Sequence, residues 1–590
     1  RVLESRGYRV GLISQPDWHS ADAFKALGRP RLAALITAGN LDSMLNEKTA
    51  ARKFRSRDSY SPGGETGHRP ERATIVYVNR MREAYKDVPI IIGGIEASLR
   101  RFAHYDYWSD KVRHSILLDS KADILSYGMG EHSIVEIADA LAEGKSVAEM
   151  YDIRGICYVT GKPPISDKTV VCPSYEEVRA DKAAFAKAFK MQYEEQDPFY
   201  GKTIIQPSEN RFVVQTPPAL PLSTEEMDAI YELPFQRRWH PDYDAAGGVP
   251  ALQEVQFSLT SQRGCFGHCH FCAIASHQGR IIQHRSQESL VRETERMTKL
   301  PGFKGYIHDV GGPTANFRHV ACQKQLTDGA CRNRHCIGSE TCQNLNTSHD
   351  DYLQLLRKIR HVKGVKKVFV RSGLRYDYVL ADGNKEFVKE LCQYHVSGQL
   401  KVAPEHVVKH VTDLMGKADV NAFLTFKDWF DEANRELGKK QYLVPYFMSS
   451  HPGCTLKDAV ALAEFLRDMH MQPEQVQDFI PTPGSLSTAM YYTGINPLTG
   501  QKVYVARRAE EKQMQRALMQ YKNPANYDIV YKALCLAGRR DLIGYGPKCL
   551  IAPRRHQSQS GRPLGSGRHG RSPVRSGQRR KDLNRTRKFR

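Results

Sequence analysis

Ser261-Gln262-Arg263-Gly264-Cys265-Phe266-Gly267-His268-Cys269-His270-Phe271-Cys272 sets three cysteines in a C-x3-C-x2-C spacing, directly after the segment 254–259, which reads as a strand. Three thiolates crowded onto one short loop can each hold one iron of a cubane cluster, which leaves the fourth iron without a protein ligand. Full cysteine ligation makes an electron carrier, whereas an open iron can bind a substrate or cofactor. Gly264 and Gly267 let the loop curl tightly. The same residues admit a zinc site completed by His268 or His270.

Outward from this loop, strand and helix patterns alternate. Strands are predicted at 254–259, 305–310, 366–371, 399–403, 442–448 and 475–480, and helices at 286–300, 350–361, 384–395, 420–437 and 455–469. Six such units predict an open or partial (β/α)6 barrel at 246–480, with its chemistry at the C-terminal ends of the strands. Residues 1–150 also alternate, with strands predicted at 8–14, 32–38, 74–78, 88–94 and 122–127 and a helix at 132–141. This is the pattern of a doubly wound α/β domain. Residues 52–72 read as a long loop. Residues 151–245 hold a helix at 180–196 and several prolines, and read as a connecting or covering region. Residues 481–553 form an extension with one helix at 506–520. Arg1 stands in place of Met, and residues 1–13 read as the middle of an α/β unit, so preceding residues are expected to be missing.

The cysteine spacing with an aromatic before its last member, here Phe271, resembles the radical S-adenosylmethionine (SAM) superfamily. The wider chain resembles the YgiQ-type radical SAM proteins, through Ile91-Ile92-Gly93-Gly94-Ile95-Glu96-Ala97-Ser98, Asp309-Val310-Gly311-Gly312-Pro313-Thr314 and Ala403-Pro404-Glu405-His406. The resemblance implies that Cys265, Cys269 and Cys272 hold a 4Fe–4S cluster with Phe271 packed nearby. It also implies that the open iron chelates SAM and that one electron cleaves SAM to methionine and a 5′-deoxyadenosyl radical, on a substrate it does not name. An electron donor such as flavodoxin or ferredoxin is the implied partner. Gly311, Gly312 and Pro313 are expected to bind the methionine amine through the backbone, and Glu405 to accept the ribose hydroxyls. Ser372 or Arg375 is expected to reach SAM or substrate from another strand end, and the turn Ser449-Ser450-His451-Pro452-Gly453-Cys454-Thr455 to pack against the adenine. Taken alone, Gly-Gly-Pro is a turn, Glu405 is a solvated helix-start carboxylate, and Thr455 is a helix N-cap. The N-terminal domain resembles the cobalamin-binding-like domain that precedes many such barrels, but it lacks an Asp-x-His-x-x-Gly element to donate a histidine to cobalt.

Cys322, Cys331, Cys336 and Cys342 form a second set, spaced C-x8-C-x4-C-x5-C in a turn-rich insertion after the second barrel strand. A loop with little to bury and four thiols suggests metal-driven folding. Zinc and a second iron–sulfur cluster both fit four thiolates; structural thiols or a redox disulfide are the alternatives.

Of 590 residues, 86 are Lys or Arg and 65 Asp or Glu, giving +21; 13 of the bases and one acid fall between Arg554 and Arg590, so this stretch carries +12 and the rest +9. Such a stretch, nearly free of apolar residues, is expected to be disordered. It is a candidate contact for RNA phosphates. No apolar run approaches the roughly 20 residues a membrane span needs. Thirteen cysteines, seven of them between Cys265 and Cys342, suggest metal ligands in a reducing compartment, the cytoplasm. The competing reading is a non-enzymatic zinc-binding protein that contacts nucleic acid through its basic tail.

Overall fold

The structure is a computed structural model that describes residues 1–473 and 475–554. The basic tail expected to be disordered lies, apart from Arg554, outside the described residues.

The N-terminal sheet is built on the run Ile90-Ile91-Ile92. Strand β1 (Ala34–Thr37), β2 (Ile90–Gly93) and β3 (Ile124–Ser126) are parallel neighbours. Ile90 and Ile92 pack on one face with Tyr77, Val78 and Leu117, while Ile91 packs on the other with Ile124 and Ile137. A run apolar at every position is what a strand covered on both faces requires. The sheet does not stop at residue 150 as expected. It continues through β4 (Ile156–Thr160), β5 (Thr169–Val171), β6 (Thr203–Ser208) and β7 (Arg211–Gln215) in the order β1-β2-β3-β4-β7-β6-β5. β4 and β7 pair antiparallel with their neighbours, so the sheet is mixed and only its first half has the doubly wound pattern.

Two predicted strands are not strands. Residues 74–78 lie in the helix Ala73–Ala84, whose buried residues Ala73, Thr74, Tyr77, Val78 and Met81 follow the three-to-four-residue helical spacing. Their β-branched composition favours strands, but tertiary burial along one helical stripe prevails. Its first amides are capped across the chain: Thr74 N–H donates to Glu96 Oε1 at 2.9 Å and Ala73 N–H to Ser43 Oγ at 3.0 Å. Residues 8–14 pair with no strand, and Val10 and Leu12 are exposed.

The barrel follows the predicted order. β8 (Ser258–Thr260) pairs with β10 (Asp309–Gly311), and β9 (Tyr306–Ile307) with β11 (Lys367–Val368). A parallel bridge, Leu374 to Val402, links this half to β12 (Gln399–Glu405), β13 (Tyr442–Ser449) and β14 (Gln477–Asp478). Every neighbour is parallel, so all strands end on one rim. The first strand is shorter than expected because 252–255 forms a helical turn. The helix expected at 384–395 is Lys385–Glu390 followed by a wider turn, Leu391–His395.

One apolar cluster unites Phe102, Tyr105, Phe185 and Ile204 with Val411, Met415 and Val460 of the barrel and Leu518, Val530 and Leu534 of the C-terminal extension. Helix Lys182–Glu194 packs on Leu486–Thr493, and Leu456–Asp468 on Ala509–Met519. The polar and aromatic stretch at 96–108 serves this interface: Tyr105 stacks on Tyr492 at 4.8 Å, and Tyr107 meets Tyr491 edge-on at 5.8 Å.

Candidate active site at the strand ends of the barrel

The cysteine loop leaves β8 and is held at both shoulders. Gly264 N–H donates to Gln278 Oε1 at 3.1 Å, Cys265 N–H to the Gly279 carbonyl at 3.1 Å and His270 N–H to the Met415 carbonyl at 2.9 Å. The loop packs closely at Gly267, where a Cβ would stand 2.5 Å from Arg375 Nη1 and 3.4 Å from both Cys265 Sγ and the Phe317 ring. His268 adopts a left-handed φ of 43° and stacks on Tyr193 at 4.9 Å.

The two histidines bond to residues outside the loop. His268 Nδ1 meets Tyr193 Oη at 3.2 Å; His270 Nδ1 donates to the Leu414 carbonyl at 2.9 Å, and its Nε2 meets His335 Nε2 at 3.4 Å. Burial holds both rings neutral, well below the usual histidine range for His268. The zinc reading needs a ring nitrogen on the metal; His268 Nδ1 and both nitrogens of His270 have other partners. Among the described residues, no three His, Cys, Asp or Glu side chains close on one point tightly enough for a single metal ion.

Arg375 presses on the thiols from the next strand end. Its Nη1 donates to Cys269 Sγ at 3.5 Å, while Nε donates to Asp377 Oδ1 at 2.8 Å and Nη2 bonds the other carboxylate oxygen. Both residues are almost fully buried. Burial alone would raise the Asp377 carboxyl, but the guanidinium overrides it and holds the group below its ordinary 3.8. Asn316 fixes the backbone of Arg375 from both sides and donates a hydrogen bond from its amide to His349 Nε2, whose Nδ1 donates in turn to Asp382 at 2.9 Å.

Burial, then the neighbouring Cys269, pushes the Cys272 thiol up to about 12, and Glu405 adds to the shift. Glu405 is thus close enough for its charge to act on Cys272. It sits at the end of β12 with φ +68°, is 6% exposed, and its Oε2 is buried without a partner. Burial raises its carboxyl above the ordinary 4.5, against the pull of Lys417 and Arg375. At the end of β13, Ser450 has φ +63° and a buried Oγ without a partner. Left-handed non-glycine residues cost about 1–3 kcal/mol each and cluster at functional sites. Ser450 falls within the turn at 449–455 expected to pack against the adenine; nothing in the sequence signalled Asp377 or Lys417.

Gly311 and Gly312 end β10 where there is no room for a side chain: a Cβ on Gly311 would stand 3.1 Å from Ala315 Cα, and one on Gly312 would collide with the Gln262 carbonyl. The Gly311 carbonyl accepts from Ser261 N–H at 2.7 Å. Ser372 is beside Gly311, but its hydroxyl donates to Asp309, so it braces the strand end. Phe271 meets the His451 ring edge-on at 6.2 Å. His451 is buried, bonded to Ser487 Oγ and the Pro452 carbonyl. Thr455 caps its helix through a reciprocal bond with Asp458. The strand ends thus bring Cys265, Cys269, Cys272, Gly311, Gly312, Arg375 and Glu405 onto one rim.

A family model described as Radical SAM N-terminal matches residues 1–258, and a domain of unknown function, DUF3362, matches residues 474–588. UPF0313 protein CPE1196 of Clostridium perfringens is 57% identical over 552 residues, covering 93% of this chain and 83% of its own length. UPF0313 protein CLJ_B0249 of Clostridium botulinum is 55% identical over 552 residues, covering 93% and 86%. The chain belongs to the UPF0313 family, the YgiQ-type radical SAM proteins. The cofactors read from its sequence, a 4Fe–4S cluster and SAM, are the ones this membership carries. A solved structure of TsrM, a radical SAM methyltransferase from Kitasatospora setae with cobalamin and a 4Fe–4S cluster bound, aligns over 96% of this UPF0313 chain and 89% of its own at 13% identity, with a TM-score of 0.48. No helix among the described residues is long and apolar enough to cross a membrane. The non-enzymatic zinc-binding alternative is not favoured by the barrel frame or the family.

Proposed function

We propose that this protein reductively cleaves SAM at the rim and uses the resulting radical on a substrate that enters over the strand ends. The observation that carries this reading is that the three thiols of the β8 loop share a rim with Glu405, whose Oε2 is buried without a partner and whose charge acts on Cys272. The residues fit the two groups. Cys265, Cys269 and Cys272 would ligate a 4Fe–4S cluster, the backbone at Gly311 and Gly312 would bind the amino acid head from the neighbouring strand end, and Glu405 has acceptor capacity for two hydroxyls. Bound there, cluster and SAM supply one-electron cleavage to methionine and a 5′-deoxyadenosyl radical that abstracts hydrogen. The protein's own part is to orient and to shield. Arg375 places positive charge against Cys269, Gly267 keeps the loop close to it, and Phe271 and His451 wall off water. A flavodoxin- or ferredoxin-type donor supplies the electron.

Anaerobic protein, reconstituted with iron and sulfide and given dithionite and SAM, is expected to release 5′-deoxyadenosine. An intact cluster without that product would overturn the reading.

Glu405→Gln is expected to weaken SAM binding about 10- to 100-fold, the loss of hydrogen bonds to a charged acceptor worth about 1.5–3 kcal/mol. Equilibrium binding on the reconstituted protein checks it. The SAM-free protein should respond with the opposite sign. Because burial raises the folded-state value, the native state binds this proton more readily than the unfolded chain. Wild-type stability is then full below 4.5 and is lost as pH rises through the raised value. The glutamine variant lacks that loss, so it should unfold later than wild type at pH 8 and together with it at pH 4.

A further inference from the structure

Between β10 and the helix Asp350–Arg360, residues 312–349 contain one regular element, the turn Gln323–Leu326. Loops longer than about 12–15 residues without structure of their own are uncommon in compact domains. This one is nevertheless closed on itself at its cysteines: Gln325 N–H donates to the Cys322 carbonyl at 3.1 Å, Cys342 N–H to the Cys336 carbonyl at 3.0 Å, and Leu345 N–H to the Cys342 carbonyl at 3.0 Å.

The four thiols of the loop are unpaired and gathered. None forms a disulfide, Cys336 is buried, and Cys322, Cys331 and Cys342 all stand close enough to Cys336 to act on its charge. Gln325 Nε2 donates to Cys336 Sγ at 3.7 Å. Arg280, from the barrel side, donates Nη1 to the Cys331 carbonyl at 2.8 Å and Nη2 to the Arg334 carbonyl at 2.9 Å, and its charge reaches Cys336. Its Nε is buried without a partner. A cation with an idle donor beside four thiols is suited to a site that carries net negative charge when filled.

One zinc ion would need all four sulfurs about 2.3 Å from a single centre, and these side chains do not converge in that way. A cubane instead takes one thiolate per iron and spreads its ligands. We propose that Cys322, Cys331, Cys336 and Cys342 ligate a second 4Fe–4S cluster, with Arg280 as its counter-charge. Four protein ligands leave no open iron, which makes this centre an electron carrier. Cys336 and Cys342 share with Cys265 a packed wall of Phe266, Phe317 and Tyr378, whose first two rings stack at 3.7 Å. The carrier therefore takes one electron from the reduced flavodoxin- or ferredoxin-type donor, which is oxidised by one electron, and passes it to the centre at Cys265. No proton or atom moves with it. This relay role rests on the function proposed above; the presence of the cluster does not.

The test is the Cys265→Ala, Cys269→Ala, Cys272→Ala triple variant, purified and reconstituted anaerobically. It is expected to retain about four iron and four sulfide per chain, half the wild-type content, with an electron paramagnetic resonance signal on dithionite reduction. Iron at background, or one zinc without sulfide, would overturn the proposal. Conversely, Cys322→Ser with Cys336→Ser in otherwise native protein should halve the iron; unchanged iron would also overturn it. Arg280→Gln should keep the iron of the triple variant but lower the midpoint potential of its signal, and an unmoved potential would remove Arg280 from its role. Failure of 5′-deoxyadenosine formation in wild type with the triple variant still carrying iron would sink the function reading alone.

Discussion

Cys269→Ala is expected to reduce 5′-deoxyadenosine formation to the level seen without protein. The loss is total because three ligands are the minimum that holds a cubane while leaving one iron open, and Cys269 is also the sulfur that accepts from Arg375. Product formation by chromatography and iron content together check it: the iron should fall by the share of one cluster, with the set at Cys322 to Cys342 retained. Product formed at the wild-type rate would show that the loop after β8 does not hold the reactive centre.

The second large effect is on stability. Asp377→Ala leaves the Arg375 guanidinium buried without its carboxylate, and breaking a buried pair in this way costs about 3–5 kcal/mol. Chemical unfolding of the cluster-free protein at pH 7 measures it. Because the folded-state value of Asp377 lies below 3.8, its contribution is complete above 3.8 and is lost as pH falls through the lowered value. The gap between variant and wild type should therefore be constant from pH 8 to pH 5 and close only in strong acid. A variant as stable as wild type at pH 7 would show that solvent reaches this pair.

The order of the barrel strands was legible because each apolar run is followed by a helix with a clear three-to-four-residue stripe. The cysteine loop was legible because ligand spacing is local. What escaped is non-local. The mixed half of the N-terminal sheet could not be read at 151–245 because its pairings join residues far apart, such as Cys157 with Gln215. Residues 74–78 have strand composition and helical burial, and only the partner surface decides between them. Arg375 was noticed as a strand-end residue, but its lock onto Asp377 and its donation to Cys269 depend on side chains folding back over a turn. Glu405 was readable as a carboxylate after a strand; that it is buried, left-handed and without a partner was not.

The apolar cluster that joins Tyr105, Phe185 and Ile204 to Met415, Leu518 and Val530 has a practical meaning for expression. A gene fragment starting near residue 246 would encode the cysteine loop and every barrel strand, yet its product would display the unmatched half of that cluster to water and aggregate. The Phe185 and Tyr105 rings each lie 4.8 Å from Tyr492, so trimming from the C-terminal side meets the same obstacle. Any open reading frame meant to yield working protein must carry the sheet, the barrel and the extension together.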